Sequence, residues 1–406
     1  MTPYIYDFLL LIMLYVLFRA GRSMAETGSV KSPAGFVAIL VYTLNEGLRF
    51  GRGIDYNLYG MSYENLEATG ESDWDISFQY IARFLISMDI PWQGYVILMS
   101  LIFVVAIIML LRFNYKEVLP YALPLFALFS RGAVENMVRW YLGFSFILIG
   151  LAYLLQEDKK FNLKFWGLSI FACTFHLALL PLPFAFYLLT LRKHPLLSPM
   201  WVLILYFGIA FFFQTDFMMQ FINVANFLSS SLGDSSERLS HYGDRAEYWL
   251  TGGFAGVQTS VFPNMHELVF LCCLVWVGYQ SIRGKGEKYI YAYNMFVVGI
   301  LAYPLARQIE LIGRFDEPFM FFRAIVLACV IKDIFVEKKV VVNQIVWIVS
   351  LLIVLNMGRK ILVGPITGNP DKYLYVWDSE GKTYQSMYDM WIFDMYNDDA
   401  KKKRQD

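Results

Sequence analysis

The chain has 406 residues, 57% of them apolar and only 17% charged, with 34 Lys and Arg balancing 34 Asp and Glu and a mean hydropathy of +0.47. A soluble domain rarely carries so little charge, and the apolar residues fall in long blocks instead of amphipathic stripes, so the chain reads as a polytopic membrane protein. No basic run before the C-terminal tail points to nucleic acid, and Cys173, Cys272, Cys273 and Cys329 lie inside apolar segments with neither a disulfide framework nor a CxxC zinc pattern.

In chain order, the first apolar block, 3–18, has no basic region before it and no small-residue cleavage site after it, so it is a span and not a removable signal. Further blocks lie at 33–45, 91–111, 117–130, 134–155, 161–191, 199–221, 262–282, 289–306, 316–335 and 339–356. Most match the roughly 20 apolar residues that a helix needs to cross a bilayer. The block 161–191 is too long for one crossing, and Pro181 and Pro183 interrupt its backbone bonding. Two short helices meeting near His176 to Pro183 are predicted there, which gives an all-α architecture of about twelve spans.

Charge supports that number. With twelve spans one side collects Lys and Arg mixed, from Arg19 and Lys31 through Lys159, Arg192 and Lys285 to Lys339. The other side, before the tail, collects only Arg: Arg49, Arg52, Arg83, Arg131, Arg139, Arg238, Arg245, Arg307, Arg314 and Arg323. The mixed side is expected to face the cytoplasm, with both termini outside. Topology alone does not explain why the other side excludes Lys. Arg differs by its planar fork of donors, which holds phosphate or carboxylate bidentately, so that face is suited to an anion.

Residues 1–356 are expected to form the membrane domain, with large external loops at 46–90 and 222–261, and 357–406 a polar extracytoplasmic tail. In the first loop DWDISFQYIARFLISM (73–88) predicts an amphipathic interfacial helix, N-capped by Asp73 or Asp75, with Ile76, Tyr80, Ile81, Phe84 and Leu85 on its apolar face. Its DWD also matches the metal-binding DxD of many sugar transferases, although two aspartates at a helix start are usually caps; no metal site and no cofactor is expected. The tail, with YLYVWD and YDMWIFDMY, is expected to fold against the outer face, its basic end less ordered. No internal repeat is visible.

The candidate chemistry starts with RFGRGIDYNLY (49–59). Gly51 and Gly53 permit a tight turn that lets Arg49, Arg52 and Asp55 converge, either to grip an anion or as a solvated loop whose charges pair with one another. His176, in an apolar hairpin, is either a capping residue or a general base, since it titrates near neutrality. Arg139 lies four residues after Glu135, so an i,i+4 pair is its bland account. Arg307, Glu310 and Arg314 share a face if the helix continues past Pro304. Tyr56, Tyr59 and, in the second loop, Arg238 and Tyr242 can contact sugar rings.

These motifs resemble a known family. RFGRGIDYNLY is similar to the Arg-x-Gly-x-Gly-x-Asp-Tyr-x-x-Tyr signature after the second span of EpsG-type exopolysaccharide polymerases, the Wzy-like proteins. Arg139 after an external turn, Phe175-His176 near the end of a later span and RFDEPFMFF (314–322) before a late span follow in order. Arg49, Gly53, Asp55, Tyr56, Tyr59, Arg139, His176 and Arg314 are the matched positions, whereas Arg52 occupies a variable one. Asp316 and Pro318 depart from the small polar residue and Tyr that often follow the late Arg.

The resemblance implies polymerisation of repeat units on polyprenyl (undecaprenyl) diphosphate into a surface polysaccharide such as an exopolysaccharide, capsule or O-antigen. The setting would be the outer face of a bacterial inner membrane, with a lipid-linked donor and a lipid-linked acceptor. A flippase and a chain-length regulator are the expected partners. The enzyme would be an inverting, metal-independent glycosyltransferase, because fixed Arg donors can stabilise a diphosphate leaving group. Arg49, Arg52, Arg139, Arg314 and Arg307 are then the candidate diphosphate ligands, His176 the favoured base and Asp55 the orienting group, with the reverse assignment open. The rivals are a lipid-linked oligosaccharide flippase or transporter, which more often shows repeats and broken helices, and a membrane acyltransferase.

Overall fold

The computed structural model describes residues 3–27, 33–72, 74–156, 161–212, 265–307, 310–337, 351–353, 355, 358 and 370–402. The chain is a helical bundle: α1 (Pro3–Thr27), α2 (Pro33–Gly47), α3 (Ile54–Thr69), α4 (Ile76–Ile86), α5 (Trp92–Asn114), α6 (Leu119–Asn136), α7 (Val138–Leu154), α8 (Leu163–Cys173) and α9 (Pro181–Thr190). These are followed by α10 (Pro199–Phe212), α11 (Met265–Ile282), α12 (Glu287–Ala306), α13 (Glu310–Met320), α14 (Arg323–Ile331) and α15 (Tyr384–Lys402). A two-residue strand β1 (Arg49–Phe50) pairs antiparallel with β2 (Leu374–Tyr375), in register Arg49 to Tyr375 and Phe50 to Leu374.

The helices fall on the apolar blocks because a backbone in hydrocarbon must satisfy its own hydrogen bonds. Among the described residues four helices are long and apolar enough to cross a membrane: Ile5–Thr27, Trp92–Asn114, Met265–Ile282 and Glu287–Ala306. The others are shorter, so twelve full crossings are not established by length, and most of the block 339–356 lies outside the described residues. α1 runs past its expected end at 18 to Thr27, because Ala20 and Met24 are still buried and Gly21 lies against the start of α6 at Leu119 and Pro120.

The block 161–191 divides as its prolines predict. α8 stops at Cys173, a single 3-10 turn covers Leu177–Leu179, and α9 begins on Pro181. The indole of Trp166 on α8 packs on Phe184 and Tyr187 of α9, so the two helices form a hairpin. Each covers only about 15–17 Å at 1.5 Å per residue, half of a bilayer's hydrocarbon core. The apex packs on Gly143 of α7, where an added Cβ would lie 2.9 Å from the Ala172 carbonyl oxygen. Gly143 is five residues from the Val138 end of α7, so the apex is sunk about 7.5 Å below that end.

A continuous helix through Arg307, Glu310 and Arg314 does not form. α12 passes through Pro304 but ends at Ala306, and α13 folds back along it, with Met320 against Gly299 and the Ala306 carbonyl near Gly313. Arg307 and Arg314 therefore sit on different helices.

At the end of the bundle that carries the Gly-rich motif (the motif end), α3 and α4 build a second, aromatic core from Tyr56, Tyr63, Trp74, Phe78, Trp92 and Tyr95, which Phe175 of the hairpin apex joins. α4 is apolar on two faces. Phe78, Ala82 and Leu85 are buried, while Ile76, Tyr80, Phe84 and Met88 form an exposed stripe at helical spacing, as an interfacial helix requires. Asp75 occupies the N-cap position of α4, but its side chain makes no capping bond, and Asp73 lies outside the described residues. The tail closes over this end through β2 and α15.

Because β2 is bonded to β1, the motif and the tail lie on one side of the membrane whatever the number of spans. In a chain whose four cysteines are replaced, single cysteines at Ser62 and at Ser379 should react with an impermeant maleimide from the same side. Labelling of Ser62 and Ser379 from opposite sides would contradict this arrangement.

Candidate functional site

The motif turns as its glycines predict. Gly51 and Gly53 have φ of +66° and +107°, the left-handed region that residues with a Cβ disfavour. Asn57 Nδ2 donates to the Gly51 and Gly53 carbonyls at 3.1 and 2.7 Å, and the Asp55 amide donates to Asn136 Oδ1 at 2.9 Å. A Cβ on Gly53 would meet Asn136 Oδ1 at 2.8 Å, so glycine lets the end of α6 approach the start of α3.

The two arginines of this turn point inward. Arg49, 1% exposed, donates to the carbonyls of Glu46 and Val134 at 2.5 and 3.3 Å and to Ser100 Oγ at 3.4 Å. Arg52, also 1% exposed, donates to Leu374 O at 3.0 Å and Glu135 Oε1 at 3.1 Å, between the rings of Tyr6 and Tyr375. Arg131 completes the network, 3.2 Å from Glu135 and 3.6 Å from Glu46, with its guanidinium over Tyr6. In this arrangement Arg49 and Arg52 are ligands of the protein itself. Tyr56 is likewise internal, its hydroxyl donating to Arg49 O at 3.0 Å beside Gln93. A charge in a protein core must be paired or hydrogen-bonded: Glu135 and Glu46 pair Arg52 and Arg131, and carbonyls with Ser100 hold Arg49.

A second group, facing outward, forms around Tyr59. Arg139 stands over its ring at 5.5 Å and is paired with Asp75 at 3.0 Å, both side chains about a fifth exposed. Burial pushes the Tyr59 hydroxyl's pKa up, the positive charges of Arg139 and Arg314 pull it down and Asp55 pushes it up; burial prevails. The hydroxyl therefore stays protonated at neutral pH and can donate. Arg139 of α7 thus lies over the Tyr59 ring, Asp55 stands one turn before it on α3, and the charge of Arg314 on α13 reaches the same phenol. One turn along α13, Glu317 Oε2 accepts from the Tyr141 hydroxyl at 2.7 Å and feels the charge of Arg314. The i,i+4 pair between Glu135 and Arg139 does not form: Glu135 serves Arg52 and Arg131, and Arg139 takes Asp75.

His176 sits at the sunken apex. Its Nδ1 accepts the Ala178 amide at 3.3 Å, so in the neutral ring the proton is on Nε2. The imidazole can donate there but can accept a proton only by giving up its cap. The apex reaches the Tyr59 group through α4: Ser77 N–H donates to Thr174 O at 3.2 Å, their hydroxyls meet at 2.6 Å, and Asp75 is two residues away.

Arg307 is not with the others. It caps α12, 3.4 Å from the Tyr303 hydroxyl, and shares that neighbourhood with Glu267 of α11. Arg238 and Tyr242 lie outside the described residues. Among the described residues no group of three His, Cys, Asp or Glu is placed to hold a metal. Sequence reasoning missed Asp75 as the partner of Arg139, Tyr141 and Glu317 beside Arg314, and the Glu46–Arg131–Glu135 network. The RxxxE spacing at 131–135 was the one available signal for the last of these.

The model of the EpsG family matches residues 34–366. That span takes in the Gly-rich motif, Arg139, His176 and Arg314 and stops just short of the described tail. No curated protein and no solved structure matches the chain.

The inward and outward arginines should differ in what they support. In Arg49→Lys an ammonium cannot reach three separated acceptors, and the groups left unpaired should cost about 2 kcal/mol or more. Arg139→Lys keeps a partly exposed ion pair and should cost less than about 1 kcal/mol. Thermal unfolding of the purified variants in detergent measures both; equal destabilisation would remove the distinction.

Proposed function

The chain belongs to the EpsG family, and from that premise we propose that it polymerises oligosaccharide repeats carried on polyprenyl diphosphate into a surface polysaccharide. Family membership and the apolar helices support a multi-pass, polysaccharide-polymerase type of membrane protein. The sorting of cations, Arg alone on one side and Lys with Arg on the other, supports an outward-facing motif end in a bacterial inner membrane. The observation that carries the reading is Arg139, part-exposed, paired with Asp75 at 3.0 Å and 5.5 Å over the ring of Tyr59, one helical turn from Asp55: a cation suited to the charge of a lipid diphosphate.

In the reaction, a hydroxyl of the acceptor repeat attacks the anomeric carbon of the donor, and the bond from that carbon to the diphosphate oxygen breaks. The lipid diphosphate leaves with the electron pair, and an attack opposite the leaving group inverts the anomeric centre. Charge grows on the departing oxygens, where Arg139 and Arg314 donate; donors fixed before the reaction need no metal to do this. Asp55 takes the acceptor's proton, since Nδ1 of His176 is occupied and its Nε2–H is better placed to donate to a phosphate oxygen or sugar. Tyr59 donates its hydroxyl to the same group. Arg49 and Arg52 act by holding the turn that presents Asp55. A flippase delivering repeats and a chain-length regulator are the partners such a polymerase requires.

Incubation of the purified protein with lipid-linked repeats separates this reading from its rivals. Longer glycans mark a polymerase, translocated lipid a transporter and acylated sugar an acyltransferase. Arg139→Ala and Arg314→Ala should each lower turnover about a hundredfold or more, the effect of losing one donor to developing charge. Turnover should survive EDTA. Full activity in Asp55→Asn with none in His176→Gln would reverse the two roles.

A further inference from the structure

The tail beyond residue 366 lies outside the family match, yet it grips the family's signature turn. β2 continues the strand at Arg49–Phe50, and the Val376 amide extends the ladder to Leu48 O at 3.0 Å. The Trp391 indole N–H donates to the Gly51 carbonyl at 2.7 Å. Met387 fills the space where Gly51 would carry a side chain, at 2.4 Å from an added Cβ, and Tyr384 does the same at Gly60, at 2.7 Å. Tyr384 also packs edge-on against Tyr56 and lies over Phe50. Arg52 is the residue of the turn whose guanidinium bonds Leu374 O and stacks on Tyr375.

From these contacts we infer that the segment 370–393 is a built-in clamp of the catalytic centre, with Tyr384 and Trp391 as positioning residues. The turn at Gly51–Gly53 launches α3, and Asp55 and Tyr59 occupy the first two turns of that helix. On the bundle side the turn is fixed by Asn136; on the open side the tail alone supplies its partners among the contacts described. The Gly51 carbonyl accepts from Asn57 within α3 and from Trp391 in the tail, so the indole ties the helix start to a second element. A two-glycine turn has the widest backbone freedom a chain can offer, and external bonds must remove it if Asp55 is to stay within reach of a substrate. Arg52 is then the receptor for this chain's own tail and not a substrate ligand.

This inference rests on the polymerase reading for its activity assay only, and a second readout keeps the two separable. In the full-length protein, Trp391→Phe removes the indole donor and keeps the ring. It should lower kcat on lipid-linked repeats about tenfold, with KM within about twofold, and speed amide exchange over residues 51–59 about tenfold. Gly60→Ala, which favours the helix by propensity, should still displace Tyr384 and reproduce both effects. Unchanged exchange over 51–59 in both point variants would overturn the clamp, whatever turnover does. Absence of polymer from the wild type, with exchange accelerated as expected, would overturn the polymerase reading and leave the clamp standing.

Discussion

The Glu135 carboxylate is the junction on which the motif end depends. It accepts from Arg52 at 3.1 Å and from Arg131 at 3.2 Å, and so ties the Gly-rich turn to α6. Arg131 passes the link to Glu46 at the end of α2, and the ring of Tyr6 on α1 lies against both guanidiniums. A guanidinium in a membrane protein's interior is tolerated only with counter-charge and stacking, and here a single carboxylate meets two of them. Three helices and the turn are thereby fixed relative to one another before any substrate is considered.

That constraint divides the arginines of one face into two kinds. Arg49, Arg52 and Arg131 spend their donors on backbone carbonyls and acidic side chains. Arg139 on α7 lies over Tyr59 with a partly exposed partner, Asp75, and Arg314 on α13 adds its charge to that surrounding. The Asp75 carboxylate offers the planar fork of Arg139 an anionic oxygen, the kind of acceptor that a phosphate also offers. The sunken hairpin apex and α4 complete the surroundings, bringing His176 beneath the interface through the Ser77–Thr174 bonds.

Much of this was legible in the residues. Pro181 and Pro183 predicted the break after Cys173, because a proline at a helix start gives up no backbone bond while one in mid-helix removes one, a cost that α12 bears at Pro304. Gly51 and Gly53 predicted the turn through their backbone freedom. The exclusion of Lys from one face pointed to Arg-specific geometry, but composition cannot tell an inward fork from an outward one, and Arg49 and Arg52 were read as outward. Nor does local spacing reveal long-range partners. Arg139 sits four residues from Glu135, yet its mate is Asp75, and Glu135 is claimed by Arg52 from 83 positions away in sequence. The return of α13 along α12 was hidden because the apolar pattern is the same whether a helix continues or doubles back.

The central claim is that Arg139 and Arg314, and not the arginines of the Gly-rich turn, hold the diphosphate. The direct test is the affinity of a short-chain polyprenyl diphosphate for the solubilised protein and its Arg139→Ala variant, with Arg52→Gln as the comparison. Loss of one charge-assisted contact should weaken binding to Arg139→Ala by roughly tenfold to a hundredfold, while a folded Arg52→Gln keeps near wild-type affinity. Wild-type affinity in Arg139→Ala together with lost binding in Arg52→Gln would contradict the account.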